Sequence, residues 1–388
     1  MDHDVIVLGA GAAGLMAAIE AARRGRRVLV LDHAAAPGEK IRISGGGRCN
    51  FTNLHIAPER FLSQNPRFAL SALRRFTQHD FIGRVNRAGI AWHEKTQGQL
   101  FCDGSARQIV DLLLRDLAAA GGELRLGVGV HAVRPGFVVA TDQGDLRATS
   151  VIVATGGKSI PKMGATGFGH QVAEAFGLGL VDPRPGLVPL TFTDAQRDGM
   201  AALAGLTVSA RVGLEGAKIA FDEGLLFTHR GLSGPSILQI SNYWREGRAI
   251  RVDLATGRDI ATEAAAARAE QGGRDLANAL DLPERLSRAV VARAGLSGRL
   301  AVQSKASLQR LGDAVHRWSL IPAGTEGWRT AEVTLGGVDT AALDAGTMQA
   351  RRVPGLFFVG EVVDVTGWLG GYNFQWAWSS GWAAGQVA

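Results

Sequence analysis

The chain is poor in three reactive residue types. It has 2 cysteines and 2 tyrosines in 388 residues, and lysine occurs only at Lys40, Lys95, Lys158, Lys162, Lys218 and Lys305. Cys49 and Cys102 are far apart in sequence and form no C-x-x-C, which excludes a disulfide framework, a dithiol redox centre and a cysteine-based zinc site. A reducing compartment is implied, and no metal ligand set is visible. No uninterrupted apolar run approaches the ~20 residues that span a bilayer. Asp2 and Asp4 stand where a signal peptide would carry positive charge. Cytoplasmic location and no membrane partner are therefore expected. The net charge is +6, but the arginines that supply it are scattered and interleaved with acids. They read as solvated surface, which argues against a nucleic-acid partner. Nothing in the sequence fixes an oligomeric state.

Glycine is what the chain has in plenty, 52 residues, and its first use is the most informative. The apolar run Val5-Ile6-Val7-Leu8 passes into Gly9-Ala10-Gly11-Ala12-Ala13-Gly14 and then into a small-residue helix. A strand that ends in G-x-G-x-x-G and opens a helix cradles the pyrophosphate of a dinucleotide. Gly9 allows the tight turn, Gly11 lets the diphosphate approach the backbone, and Gly14 lets the helix lie close on the sheet. The helix N-terminus then offers unpaired N–H groups to the anion. Gly25 ends the helix, a second strand follows at residues 27–31, and Asp32 closes it about 20 residues beyond the turn. That is where a carboxylate meets the adenosine ribose. An acid there selects a free 2′-OH and disfavours NADP at this particular site.

Farther on, the run Ser44-Gly45-Gly46-Gly47-Arg48-Cys49-Asn50 cannot be a helix interior or packed strand without loss, because glycine gives up the most backbone entropy on folding. Such a loop suits close wrapping around a flat or charged ligand. Arg48 is assigned to the phosphate in preference to a substrate anion, and Cys49 to packing in preference to redox chemistry. This segment resembles the S-G-G-G-R-C-N-x-T-N signature of the YhiN-type (BaiN-like) family of FAD-binding flavoproteins. The resemblance extends along nearly the whole chain. It includes A-T-G-G at Ala154, Thr155, Gly156 and Gly157, the G-G-K-S run from Gly156, F-T-H-x-G-L-S-G-P from Phe227 and A-x-V-T-x-G-G-V from Ala331. The chain departs at residues 347–351, T-M-Q-A-R where T-M-E-S-K is usual.

The fold class so implied is α/β, a Rossmann-like FAD-binding fold of the two-dinucleotide-binding-domain type with an inserted β-barrel domain carrying a helical subdomain. The expected FAD-binding domain is discontinuous, residues 1–185 plus 335–388. The barrel comprises 186–256 plus 318–334, and the helical part 257–317. Alternation at 206–212 and 249–254 suggests strands in the insert, while 283–294 and 307–318 read as helices. Outside the insert, a helix over 65–86, Ser105 as N-cap of a helix over 107–119, and short strands over 123–126, 128–133 and 137–141 are expected.

By the same resemblance, FAD would be held by the opening turn, Asp32, Lys40, the Ser44–Asn50 loop, the backbone near Val130 at the adenine and the A-T-G-G strand end. Gly360, Glu361 and Asp364 would lie at the ribityl chain. A final helix opening at Gly370, Gly371, Tyr372 and Asn373 would aim its N-terminus at the flavin and stabilise negative charge on reduction. Aromatics in that helix read first as core. His229 is the candidate acid/base group, because histidine titrates near neutral pH; the alternative is a loop histidine holding the domain junction.

The leading expectation is an FAD-dependent oxidoreductase that transfers a hydride between flavin and a small-molecule substrate. No second G-x-G-x-x-G follows a strand, so a permanent NAD(P) domain is absent. The resemblance implies instead that NADH or NADPH docks transiently and drives reduction of an activated C=C bond. Two alternatives stay open: an amine-type oxidase that uses O2, and an RNA-associated flavoprotein.

Overall fold

The computed structural model describes residues 3–388. The chain divides into two compact units, one formed by the residues up to Pro185 together with Glu332–Ala388, the other by Gly186–Ala331.

The first unit is built on β1 (His3–Leu8), β2 (Val28–Asp32), β3 (Asn50–Asn53), β4 (Gln99–Cys102), β5 (Glu123–Leu126), β6 (Val130–Arg134), β7 (Val138–Thr141), β8 (Gly144–Val153), β9 (Val333–Val338) and β10 (Leu356–Phe358). Its helices include α1 (Ala12–Arg23), α2 (Arg107–Ala119), α3 (Phe168–Ala175) and α4 (Tyr372–Gly385). The main sheet runs β5-β2-β1-β8-β7-β6, with β10 also on β8. β5, β2, β1, β8 and β10 are parallel, in register at Val7↔Val30, Val7↔Ile152 and Ile152↔Phe357. A parallel sheet is covered on both faces, so its strands are apolar throughout. Val5, Ile6, Val7, Ile152 and Val153 have no exposed surface. The first half of β8 pairs antiparallel with β7, which pairs with β6. The expected three-strand series at 123–141 is therefore split. β5 extends the parallel sheet and only β6 and β7 form the meander.

α1 and α4 pack side by side through small residues. A Cβ on Gly381 would stand 2.4 Å from the Ala13 carbonyl oxygen, and one on Gly385 2.6 Å from that of Ala17. The aromatic residues of α4 are core. Trp378 stacks on Phe81 at 4.2 Å and donates from Nε1 to the Phe51 carbonyl, while Trp376 donates to that of Gly360.

Three local expectations change. The helix over 65–86 is two helices, Leu70–Arg75 and Gln78–Arg87, because Thr77 and Asp80 form a reciprocal capping box that starts the second. The helix α2 is capped at Ala106, and the Ser105 hydroxyl accepts from the Arg107 amide at 3.2 Å. A helical turn does reach from Glu39 toward the glycines. It breaks where Ser44 is extended and Gly45 and Gly46 turn left-handed at φ 58° and 66°.

The second unit holds a seven-stranded antiparallel sheet. Its order is Trp318–Leu320, Ile250–Asp253, Thr207–Leu214, Ala220–Phe227, Gly231–Ser233, Leu190–Thr191 and Gly324–Thr325. Helices Ile260–Gln271, Glu284–Arg293 and Lys305–His316 accompany it. The last begins at Ser304, whose hydroxyl accepts from the Ser307 amide, and stops before Trp318, which pairs with Val252 as a strand.

Candidate functional site

The opening turn separates two uses of glycine. Gly9 has φ 109°, and a Cβ there would lie 2.5 Å from the Ala154 carbonyl oxygen; on Gly14 it would lie 1.9 Å from that of Gly9. Both are demanded by the close approach of β1, β8 and α1. Gly11 differs. Its φ of −84° suits any residue, and a Cβ there would meet nothing within 4 Å. Nothing in the chain requires glycine at 11, so the requirement lies with something that approaches the turn from outside. α1 has no side-chain cap and no acid in its first turn, and the first-turn amides of a helix lack intrahelical partners. This bare, electropositive terminus fits a diphosphate. Gly156, just beyond β8, also faces open space, though its φ of 71° already favours glycine. Asp32 braces the turn: Oδ2 accepts from the Ala10 amide at 2.7 Å and Oδ1 from the Ala34 amide at 2.9 Å. The polar atoms and open glycines present here thus fit a dinucleotide cofactor.

Glu361 anchors the next part. Lys40 Nζ lies 2.7 Å from Glu361 Oε2 and 2.6 Å from Ser159 Oγ. Ser159 Oγ and the Thr334 amide donate to Oε1 at 2.7 and 2.9 Å. Burial disfavours ionisation of Glu361, but the Lys40 ammonium and these donors outweigh it and hold the carboxyl below its usual range. Thr334 Oγ1 also accepts from the Lys158 amide at 2.8 Å. A Cβ on Gly157 would strike that oxygen at 2.1 Å, so glycine is needed to let the cluster close. Ser159 and Thr334 were not singled out from sequence, although both sit in quoted motifs, G-G-K-S and A-x-V-T.

α4 opens at Gly371, φ 94°, with no side-chain cap; a Cβ would lie 2.4 Å from the Thr52 carbonyl oxygen. Asn53 Nδ2 donates to the carbonyls of Gln97 and Gly370 at 3.1 and 2.9 Å, tying the two turns together. Gln375 accepts from Thr52 Oγ1 at 2.7 Å, and Asn50 Nδ2 reaches Gln99 Oε1 at 3.2 Å. Asn373 clamps its own turn onto the Gly367 amide and carbonyl at 2.8 and 2.9 Å. Gly360 donates its amide to Ser380 Oγ at 3.0 Å. Asp364 is buried and accepts from the Gln64 amide and Ser63 hydroxyl at 2.8 and 3.3 Å; burial raises its pKa. The Arg48 side chain is exposed.

The two cysteines, distant in sequence, are neighbours in space. Cys49 precedes β3, Cys102 ends the paired β4, and the Cys102 amide donates to the Arg48 carbonyl at 3.0 Å. Both are free and buried. Burial pushes the Cys102 thiol up to about 11 and the Cys49 thiol higher still. Neither is a thiolate near neutral pH, so neither has the character of a redox nucleophile.

Val130 lies in β6, paired with Thr141. His229 belongs to the second unit. It is exposed and lines a cavity of about 230 Å³ with Arg197, Asp198 and Thr228. Behind the A-T-G-G strand end, Thr155 Oγ1 and both ring nitrogens of His170 are buried with no hydrogen-bond partner among the described residues. Burial lowers the pKa of His170.

The HI0933-like protein Rossmann domain model matches residues 3–387. The chain belongs to the HI0933-like family. That family is one of FAD-type oxidoreductases, as the resemblance in the sequence implied. Family members similar to this chain include a protein of Escherichia coli named ribosomal RNA dihydrouridine synthase, 49% identical over 99% of this chain and 97% of its own length. One of Haemophilus influenzae with the same name is 43% identical over 97% of this chain and 96% of its own length. The 3-dehydro-bile acid delta(4,6)-reductase of Clostridium scindens is 29% identical over 98% of both chains. Among solved structures, 3-ketosteroid-delta4-(5alpha)-dehydrogenase from Rhodococcus jostii shares the fold at a TM-score of 0.50 and 16% identity, covering 99% of this chain and 96% of that one. No helix among the described residues is long and apolar enough to cross a membrane.

One expectation is overturned. Scattered arginines argued against a nucleic-acid partner, yet two relatives that match along almost their whole length are named for a ribosomal RNA substrate. Scatter along the chain does not measure scatter in space, and a modifying enzyme grips a short RNA segment without a contiguous basic run.

Proposed function

We propose that the protein is an FAD-dependent reductase that converts a uridine of ribosomal RNA to dihydrouridine. The observation that carries this reading is the near full-length match, at 49% and 43% identity, to two proteins named for that reaction. FAD, when bound, supplies a hydride to an electron-poor carbon and is renewed by NADH or NADPH. The substrate gains that hydride at C6 of uracil and a proton at C5, so the C5=C6 double bond becomes single while the ring carbonyls are kept. On this reading the bare turn at Gly11 and the amides of Ala12, Ala13 and Gly14 bind the diphosphate, and Asp32 takes a ribose hydroxyl. The Lys40–Glu361 cluster and the opening of α4 orient the reactive ring and favour its reduced, negatively charged state. His229, the exposed histidine of the F-T-H motif, is the candidate acid/base group of the second unit. On this reading the protein works in the cytoplasm.

The test uses ribosomal RNA from cells lacking this protein, incubated anaerobically with purified protein and NADH or NADPH. Dihydrouridine should form, with bleaching of the flavin absorbance by the nicotinamide before RNA is added. Absence of dihydrouridine with either donor sinks the reading. Rapid reoxidation by O2 coupled to turnover of an amine would favour an oxidase instead.

A further inference from the structure

Two cations lie on segments that meet the turn opening α4, and each rests on an aromatic face in place of a carboxylate. On one segment the Arg60 guanidinium lies 5.5 Å from the centre of the Trp368 ring and 5.6 Å from that of Tyr372. Its Nη1 contacts the Tyr372 hydroxyl. The backbone fixes this arrangement: the Trp368 amide donates to the Arg60 carbonyl at 3.0 Å, and Phe61–Leu62 pairs with Thr366–Gly367. On a second segment Lys95 Nζ lies 5.4 Å from the centre of the Phe101 ring. The Lys95 amide donates to the Gln99 carbonyl at 2.8 Å. Gln99 in turn lies against Gly370, where a Cβ would stand 3.0 Å from its Cγ. Neither Arg60 nor Lys95 has a carboxylate within ion-pair distance among the described residues.

An arginine held over two rings has lost most of its rotamer freedom while keeping guanidinium donors unused, and the ring faces supply attraction without neutralising its charge. A cation kept in that state on the rim of the proposed reaction site is prepared for an anion from outside. Resting on the reading above, we propose that Arg60 and Lys95 bind the phosphodiesters on either side of the uridine that is reduced, seating the RNA strand across the Trp368–Gly371 turn. The pair grips the backbone and leaves the base between the two contacts to turn inward, as an enzyme that acts on a base requires. Phosphate contacts of this kind position without reading sequence.

The experiment measures binding of unmodified ribosomal RNA by the FAD-loaded protein at several salt concentrations, for wild type, Arg60→Ala, Lys95→Ala and Arg60→Lys. Each alanine variant should weaken binding about tenfold, the effect of losing one charge-assisted contact. Each should also reduce the slope of log affinity on log salt by about 0.7 to 0.9, with FAD content unchanged. Arg60→Lys should keep the slope and lose part of the affinity. Unchanged RNA affinity and slope in both alanine variants, beside a wild type that binds RNA, would overturn this assignment and leave the proposed function standing. Loss of NADPH affinity without loss of RNA affinity would also overturn it, since the anion would then be the reductant's phosphate. A wild type that binds no ribosomal RNA would overturn the functional reading itself.

Discussion

The helices α1 and α4 both open on glycine, both lack a side-chain cap, and lie against each other, yet their first turns are built differently. At α4 the left-handed Gly371 is forced by the chain, because the Thr52 backbone leaves no room for a Cβ. At α1 the conformation of Gly11 is ordinary and its surroundings are empty. The difference teaches that a glycine can be read for whom it serves. Where a methyl would strike the protein or the backbone is left-handed, glycine serves the fold; where the conformation is ordinary and the space is open, as at Gly11, glycine serves a ligand.

The sharpest way to break that distinction is substitution at both kinds of position. Gly381→Val should be the most severe, because its side chain would enter the Ala13 backbone across the α1–α4 contact. The expected loss is about 3 kcal/mol or more, read as a fall in the thermal midpoint with and without FAD. Glu361→Gln should cost about 2 kcal/mol, by leaving the Lys40 ammonium without its counter-charge in a partly buried setting. It also carries a pH signature. The folded state holds the Glu361 carboxyl below its ordinary value, so the stability it contributes is fully present above about pH 4.3, the unfolded value. That stability is lost as pH falls through the folded value. Urea unfolding between pH 7 and 3 should show a shallower acid-side decline in the variant; identical profiles would refute the ion-pair assignment. Gly11→Ala should leave the apo protein within about 0.5 kcal/mol of wild type while weakening FAD binding about tenfold, measured by fluorescence titration. Equal loss of apo stability would erase the contrast with Gly381. Cys49→Ser should change least: turnover stays at the wild-type value, with a stability cost of about 1 kcal/mol for the buried hydroxyl.

Much of the first unit was legible because its signals are local. A strand, a turn and a helix adjacent in sequence remain adjacent in space, so Gly9, Gly14 and Asp32 could be placed from spacing alone. The Glu361 cluster was only half legible. Glu361 and Lys40 were named, but Ser159 and Thr334, which lock the carboxylate, join it from segments separated by the whole inserted unit. The helix break at Thr77 is written in T-x-x-D, but apolar residues recur on both sides of it and mask the stop. The nearness of Cys49 to Cys102 depends on the pairing of β3 with β4, a long-range register that neither cysteine signals. The expectation against a nucleic-acid partner, which the names of two relatives overturn, fails for a related reason: spacing along the chain does not show which cations share a surface.

The seam between α1 and α4 also bears on how the protein comes to be. α1 leaves the ribosome more than three hundred residues ahead of α4, and the Arg24 side chain donates to the carbonyls of Gly385 and Ala388 at 3.2 and 3.0 Å. During synthesis the opening helix must therefore wait, one long buried face unsheltered, while more than three hundred residues are added. Nascent chains stalled before residue 372 should accordingly be open to proteases and to chaperones in the first segment, and should acquire no yellow colour until α4 emerges.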